Sequence, residues 1–360
     1  MMISSSSGLN ELYSVSQENL ADWLDRIQSS AKLIAHQEVG GILLYQPVSD
    51  SRQIAWTEAR PTLSSKDAFF PPTEQLFTIQ REGNNLTIVE SEPVGKQVLF
   101  GIRPCDAQGI KALDALYLET DPADNYYQRR REATTIIGMA CREMAPSCFC
   151  TSVGGAPDDS RFMDLMLYRG DDHYFLAVIT DKGASLLSSF PLKSDLLEAE
   201  SAAEQIKSYI PSRLPIEIPN QEDWPASFAS PYWDEMSERC ISCRICAYVC
   251  PTCRCFDVRD QLYPSENGTQ VFERIRCWDS CTGTAYRRIA GGHNPRPEKG
   301  QRLRNRFFCK YYYYPAQYGP VACTGCGRCI DACPVGVDIT EALSYVAQRG
   351  SLSDLDRSGA

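Results

Sequence analysis

Cys240-Ile-Ser-Cys243-Arg-Ile-Cys246-Ala-Tyr-Val-Cys250-Pro251 recurs toward the C-terminus as Cys323-Thr-Gly-Cys326-Gly-Arg-Cys329-Ile-Asp-Ala-Cys333-Pro334. Each copy reads C-x2-C-x2-C-x3-C-P, the ligand run of a ferredoxin with two [4Fe–4S] clusters. Three thiolates spaced three residues apart wrap one face of a cubane from a single tight turn. The fourth leaves on the following helical segment, points away and ligates the other cluster, so the two runs must fold against each other. The spacing predicts cluster I on Cys240, Cys243, Cys246 and Cys333, and cluster II on Cys323, Cys326, Cys329 and Cys250. Pro251 and Pro334, with no N–H and a fixed φ, suit a chain turning away from the metal. Two zinc sites are the competing reading, because C-x2-C pairs also bind zinc. A tetrahedral ion needs only four ligands, however, and has no use for two identical four-cysteine runs that each end in proline.

The 360 residues allow two or three domains, and 43% hydrophobic with 23% charged residues is ordinary for a globular protein. A net charge of −10 argues against a general nucleic-acid binder. Seventeen cysteines, an odd number in ligand-like runs, do not resemble a secreted disulfide framework. Met1-Met-Ile-Ser-Ser-Ser-Ser-Gly8 has neither a basic region nor an apolar run, and no stretch approaches 18 apolar residues. The expectation is a cytoplasmic chain without a membrane span, its thiols reduced and holding metal.

The chain before the first run alternates helical and strand patterns. Leu20, Trp23, Leu24, Ile27, Leu33 and Ile34 predict a helix over Asn19–His36, with Ser16 or Asn19 as its cap. Strands are predicted at residues 40–45, 97–102 and 134–139, and a hairpin around Gly170-Asp171. Asp106 is a candidate N-cap for a helix from Ala107 to about Leu118, and a polar helix is expected over Leu196–Ile210. The fold class is therefore α+β and multi-domain: an N-terminal α/β domain (1–215), a proline-rich linker (216–231), a mainly α-helical two-cluster ferredoxin-like domain (232–345) and a polar tail (346–360). The 72 residues between Cys250 and Cys323 read as helical insertions.

Cys105 follows one predicted strand and Cys141 another, on the edge where sites in α/β folds gather. Cys148-Phe-Cys150 lies just downstream, and the four together form a candidate third [4Fe–4S] site. Small buried core thiols are the alternative. Cys253, Cys255, Cys277, Cys281 and Cys309 are expected to be reduced thiols packed near the clusters, with a zinc site or a fourth cluster as the alternative. From Tyr286 to Lys310, nine basic or histidine residues face a single acid, Glu298, which reads as a local positive patch. It would raise the potential of nearby clusters, dock an acidic partner or simply be solvated. His36 and His293 read as structural. The chain lacks a strand-linked G-x-G-x-x-G, a P-loop, a G-x-S-x-G and an H-E-x-x-H, so neither flavin nor nicotinamide is expected on it.

The ordered set is Phe69-Phe-Pro-Pro72, Arg103-Pro-Cys-Asp106, Cys141 with Cys148-Phe-Cys150, Cys250-Pro-Thr-Cys253-Arg-Cys255-Phe-Asp257, Trp278-Asp-Ser-Cys281, Ala290-Gly-Gly-His-Asn294 and Cys323-Thr-Gly-Cys326-Gly-Arg-Cys329. It resembles the beta (iron–sulfur) subunit of cytoplasmic sulfhydrogenases and the related A subunit of anaerobic sulfite reductases, over about residues 60–340. The resemblance implies a multi-cluster carrier that relays electrons between a flavoprotein NAD(P)H-binding subunit and a catalytic one, a NiFe hydrogenase or a sirohaem sulfite reductase. It also strengthens the third site. A non-catalytic electron-transfer subunit of a hydrogenase is the expectation. The alternatives are the same role in an anaerobic sulfite reductase, a thiol or sulfur-species reductase acting at the N-terminal cysteines, and a zinc-stapled scaffold.

Overall fold

The computed structural model describes residues 12–92, 94–197, 199–213, 215–263, 270–286 and 288–358. Strand β1 (Leu12–Val15) leads into helix α1 (Gln17–Ile27), where the Ser16 hydroxyl accepts the Asn19 amide at 3.2 Å. The helix expected to reach His36 stops at Ile27. Leu33 and Ile34 belong instead to β2 (Lys32–Val39), which turns at Gly40-Gly41 into β3 (Ile42–Val48). Both glycines have positive φ, 59° and 77°, as a two-residue hairpin turn requires. A short apolar run fits either periodicity, and here the turn decided for the strand.

β4 (Thr73–Glu82) and β5 (Asn85–Glu90) form a second hairpin. β6 (Gln97–Ile102) is buried at all six positions and runs into α2 (Pro104–Tyr117). Arg103, not Asp106, is the N-cap of α2, because Pro104 occupies the first turn, where a missing N–H costs nothing. After α3 (Asn125–Ala133) come β7 (Thr134–Met139), the hairpin β8 (Leu165–Arg169) with β9 (Tyr174–Val178), then α4 (Asp181–Ser189), β10 (Asp195–Leu196) and α5 (Ala199–Tyr209). The strands expected at 97–102 and 134–139, and the hairpin, lie where the patterns put them. The sheet order is β10-β1-β9-β8-β7-β6-β2-β3, with β2, β6, β7 and β8 parallel. α1 packs one face through Leu20, Trp23 and Leu24. Ile110 and Leu113 of α2, Tyr127 of α3 and Ile206 of α5 pack the other.

The C-terminal half holds α6 (Trp224–Ser227), α7 (Tyr232–Glu238), α8 (Ile245–Tyr248), β11 (Phe256–Tyr263), β12 (Gln270–Trp278), α9 (Lys299–Phe308), α10 (Tyr314–Tyr318), α11 (Arg328–Asp331) and α12 (Ile339–Ser358). Trp224, Trp233, Phe307, Phe308, Tyr311, Leu343 and Val346 form its core. The expected helical insertions are corrected in part: α9 and α10 are helical, but β11 and β12 pair antiparallel and β12 pairs with β4, giving a second sheet ordered β11-β12-β4-β5. All eight residues of β11 are exposed, so no buried face imposed the alternation that marks a strand. Arg276 of β12 and Glu74 of β4 form a buried ion pair, joined by Arg130 and Asp124 from α3 and its cap. Among the described residues no helix is long and apolar enough to cross a membrane.

Candidate metal centres

Within the two runs, the residues between the first three cysteines adopt left-handed backbone. Ser242 and Arg244 have φ of 56° and 69°, and their counterparts Gly325 and Gly327 have 62° and 73°. Such turns gather N–H groups into a concavity suited to anionic sulfur. Ser242 N–H reaches the Cys240 sulfur at 3.4 Å, and Val337 N–H reaches Cys333 at 3.2 Å.

The cysteines surround three hollows. Cys240, Cys243, Cys246 and Cys333 line the first, so the fourth cysteine of the second run sits with the first three of the other. Cys323, Cys326, Cys329 and Cys250 line the second, by the reciprocal exchange. Cys105, Cys141, Cys148 and Cys150 line the third, a cavity of about 290 Å³. Cys329 borders both the first and second hollows, and Cys326 both the second and third. The order in space is therefore third, second, first. Among the described residues no three His, Cys, Asp or Glu side chains converge where one metal ion would sit. The cysteines ring hollows rather than points, which suits a polynuclear group better than mononuclear zinc.

Cys105 and Cys141 lie just past the C-terminal ends of β6 and β7, adjacent parallel strands. The Ser147–Cys150 loop is pressed onto the second run. Phe149 N–H donates to Gly325 O at 2.7 Å, and the Cys148 thiol lies 3.6 Å from Cys326 O. A Cβ on Gly325 would stand 2.5 Å from the Cys150 nitrogen, and one on Gly327 2.4 Å from Ser147 O. Asp106, one residue past Cys105, accepts both arms of Arg328 at 2.6 and 2.8 Å and the Tyr45 hydroxyl at 3.0 Å. This fully buried pair ties the strand ends to the second run. Removing one partner would leave a bare buried charge, at a cost of about 3–5 kcal/mol. Burial pushes the Cys105 and Cys141 thiols up and Cys150 up to about 12, the wrong direction for reactive thiolates.

The expected surface patch is corrected in part: Arg302, Arg306 and Lys310 are buried. Arg306 donates to the Cys253 sulfur at 3.3 Å and to Cys246 O at 2.9 Å. Lys310 donates to the Cys250 sulfur at 3.2 Å. Lys66, from the first half of the chain, reaches Ala247 O and Cys253 O at 3.2 and 3.1 Å. Burial lowers its ammonium to about 8. Among the described residues no carboxylate pairs with Lys66, Arg306 or Lys310. Buried cations without counter-ions are costly, so this wall calls for negative charge, and thiolate-bound iron–sulfur groups supply it. Around the third hollow, by contrast, Arg328, Arg60 and Arg103 pair with Asp106, Asp331 and Glu58. Sequence reasoning missed Lys66 and Arg328. Nothing in their neighbourhoods distinguishes them from surface cations.

Against this geometry the comparisons with known proteins are specific. A 4Fe-4S dicluster domain model matches residues 239–337, which contain all eight cysteines of the two runs. Sulfhydrogenase 2 subunit beta of Pyrococcus furiosus is 30% identical over 338 residues, 92% of this chain and 97% of that protein. The chain belongs to the sulfhydrogenase beta-subunit family. It is an iron–sulfur protein of the dicluster type, and [4Fe–4S] clusters are its cofactors. Cys253, Cys255, Cys277, Cys281 and Cys309 are not among the cysteines lining these three hollows. The Cys281 thiol hydrogen-bonds Cys255 and holds it down at about 6 against burial. Arg254 lies 3.7 Å from the Cys309 sulfur. Cys277 sits on β12, opposite Thr73 and Asp257.

Proposed function

We propose that the chain holds three [4Fe–4S] centres in a line and relays single electrons between a flavoprotein NAD(P)H-binding subunit and a NiFe-hydrogenase-type catalytic subunit. The observation that carries this reading is the set of three four-cysteine hollows, in which Cys326 and Cys329 each border two neighbours. The ligand sets are Cys240, Cys243, Cys246 and Cys333; Cys250, Cys323, Cys326 and Cys329; and Cys105, Cys141, Cys148 and Cys150. A bound cubane supplies one-electron storage with its charge spread over several irons. The residues of this chain do the rest. They hold the thiolates, bring the hollows wall to wall, bury the middle one and surround it with cations. In the same reading residues 1–215 and 232–345 work as two units joined through 216–231, and the line of centres crosses between them.

The relative's name, a subunit of a sulfhydrogenase, supports this choice of terminal partners. The reading includes no flavin or nicotinamide on this chain and no substrate turned over by it. Nicotinamides deliver two electrons together while a cubane accepts one, so a flavin must stand between. Purified anaerobically with its centres intact, the chain should be reduced by dithionite but not by NADH or NADPH. Adding the flavoprotein partner should restore reduction by nucleotide. Stoichiometric flavin in the isolated chain, or immediate bleaching by NAD(P)H, would overturn the relay assignment.

A further inference from the structure

Resting on that three-centre reading, we propose that Lys310 sets the reduction potential of the middle centre, the one held by Cys250, Cys323, Cys326 and Cys329. The side chain is placed by a local break in helix geometry. Between α9 and α10 the backbone widens into a π-helical turn over Cys309–Tyr313. Pro315 gives the cause: its ring cannot tolerate the carbonyl four residues earlier, that of Tyr311, and it lacks the N–H that would close a regular turn. Such turns gather at functional sites. This one carries Lys310 and Tyr311 into the interior, where both are buried.

The contacts of Lys310 define its protonation and its target. Its Nζ donates to the Cys250 sulfur at 3.2 Å, to Thr252 Oγ1 at 2.7 Å and to Ala322 O at 3.0 Å. Three acceptors need three N–H bonds, so the group is an ammonium. The single Thr252 hydroxyl proton is already committed to Ala322 O at 2.6 Å, which leaves Thr252 Oγ1 free to accept. Lys310 lines the middle hollow and neither of the other two. Its charge is uncompensated by any carboxylate among the described residues, whereas that of Arg328, beside Cys105, is neutralised by Asp106.

Reduction adds one electron, and no proton, to an already anionic group. A buried cation that donates directly to a ligand sulfur favours the reduced form and raises the potential. The middle centre therefore sits at higher potential than it would without Lys310. The flanking centres feel less of this charge. Lys310 is a positioning residue for charge, in contact with a ligand rather than with any substrate.

The test uses the full chain, purified anaerobically, as wild type and as Lys310→Met, Lys310→Gln and Lys310→Arg. Iron and sulfide analysis comes first, because a wild-type chain without clusters would retire the relay reading itself. Redox titration followed by EPR then reads each centre, the middle one identified by its change in Cys323→Ser. The expected result is a shift of the middle centre to lower potential in Lys310→Met and Lys310→Gln, larger than any shift of the other two, with return toward wild type in Lys310→Arg. An unmoved middle potential, a rise, or equal shifts of all centres would overturn the proposal while leaving the three-centre reading intact. Should both neutral variants fail to hold the middle centre, Thr252→Val decides. It removes one acceptor that holds the ammonium against sulfur, so the middle potential has to move, and an unmoved potential sinks the proposal.

Discussion

The loops at 240–250 and 323–333 share a spacing and a backbone, yet their surroundings are opposite. In the first, Ser242 and Arg244 hold left-handed φ with ordinary side chains, Cys243 is exposed and Ile241 is 62% exposed. In the second, glycines occupy the same two positions, Cys323 and Cys326 are buried, and the Ser147–Cys150 loop covers them. The difference separates two reasons for glycine. Left-handed φ alone is tolerated by Ser or Arg for about 1–3 kcal/mol when the Cβ points to solvent. A backbone lying against the Cα admits no side chain at all. The second loop is thus a junction between the two halves of the molecule, and the first is a face open to the outside.

Removing metal should break this comparison most severely. Thiolate-bound clusters contribute their binding energy to folding, so cluster-free protein should lose helical CD and its cooperative C-terminal melt. A chelator should take iron from the centre nearest Cys243 before the buried one. Simultaneous loss from both, or a cluster-free form that keeps its full melt, would contradict the account.

Glycine substitution comes next. Gly325→Ala and Gly327→Ala should each destabilise by about 3 kcal/mol or more, through backbone clash added to strain. Ser242→Gly should change stability by only about 1 kcal/mol, toward gain, and Arg244→Gly should stay within about 1 kcal/mol of neutral, because relieved strain is offset by the lost Arg244–Asp279 ion pair. Anaerobic denaturant melts of the four variants check this, and equal effects in both loops would erase the distinction.

The exchange of fourth ligands is a finer test. Cys333→Ser should perturb the EPR signal of the centre at Cys240, Cys243 and Cys246, and Cys250→Ser that of the centre at Cys323, Cys326 and Cys329. Changes confined to each mutated residue's own run would show that the ligands do not cross.

Much of the site was legible because ligand spacing is local chemistry. The two runs and the strand-end positions of Cys105 and Cys141 could be read from pattern alone. The β11–β12 strand pair could not, because the exposed β11 carries no buried period. Nor could the long-range roles of Lys66, Lys310 and Arg328. A buried cation and a solvated one look alike in sequence, and only the fold brings Arg328 to Asp106 or Lys310 to Cys250. Asp106 looks like a helix cap in sequence for the same reason: its ion-pair partner lies 222 residues away.

Three centres in a line are tested by the metal content of the anaerobically purified native chain. They require about twelve iron and about twelve acid-labile sulfide per chain, with Cys105, Cys141, Cys148 and Cys150 protected from alkylation. About eight of each with those four thiols alkylated, or zinc without sulfide, would contradict them.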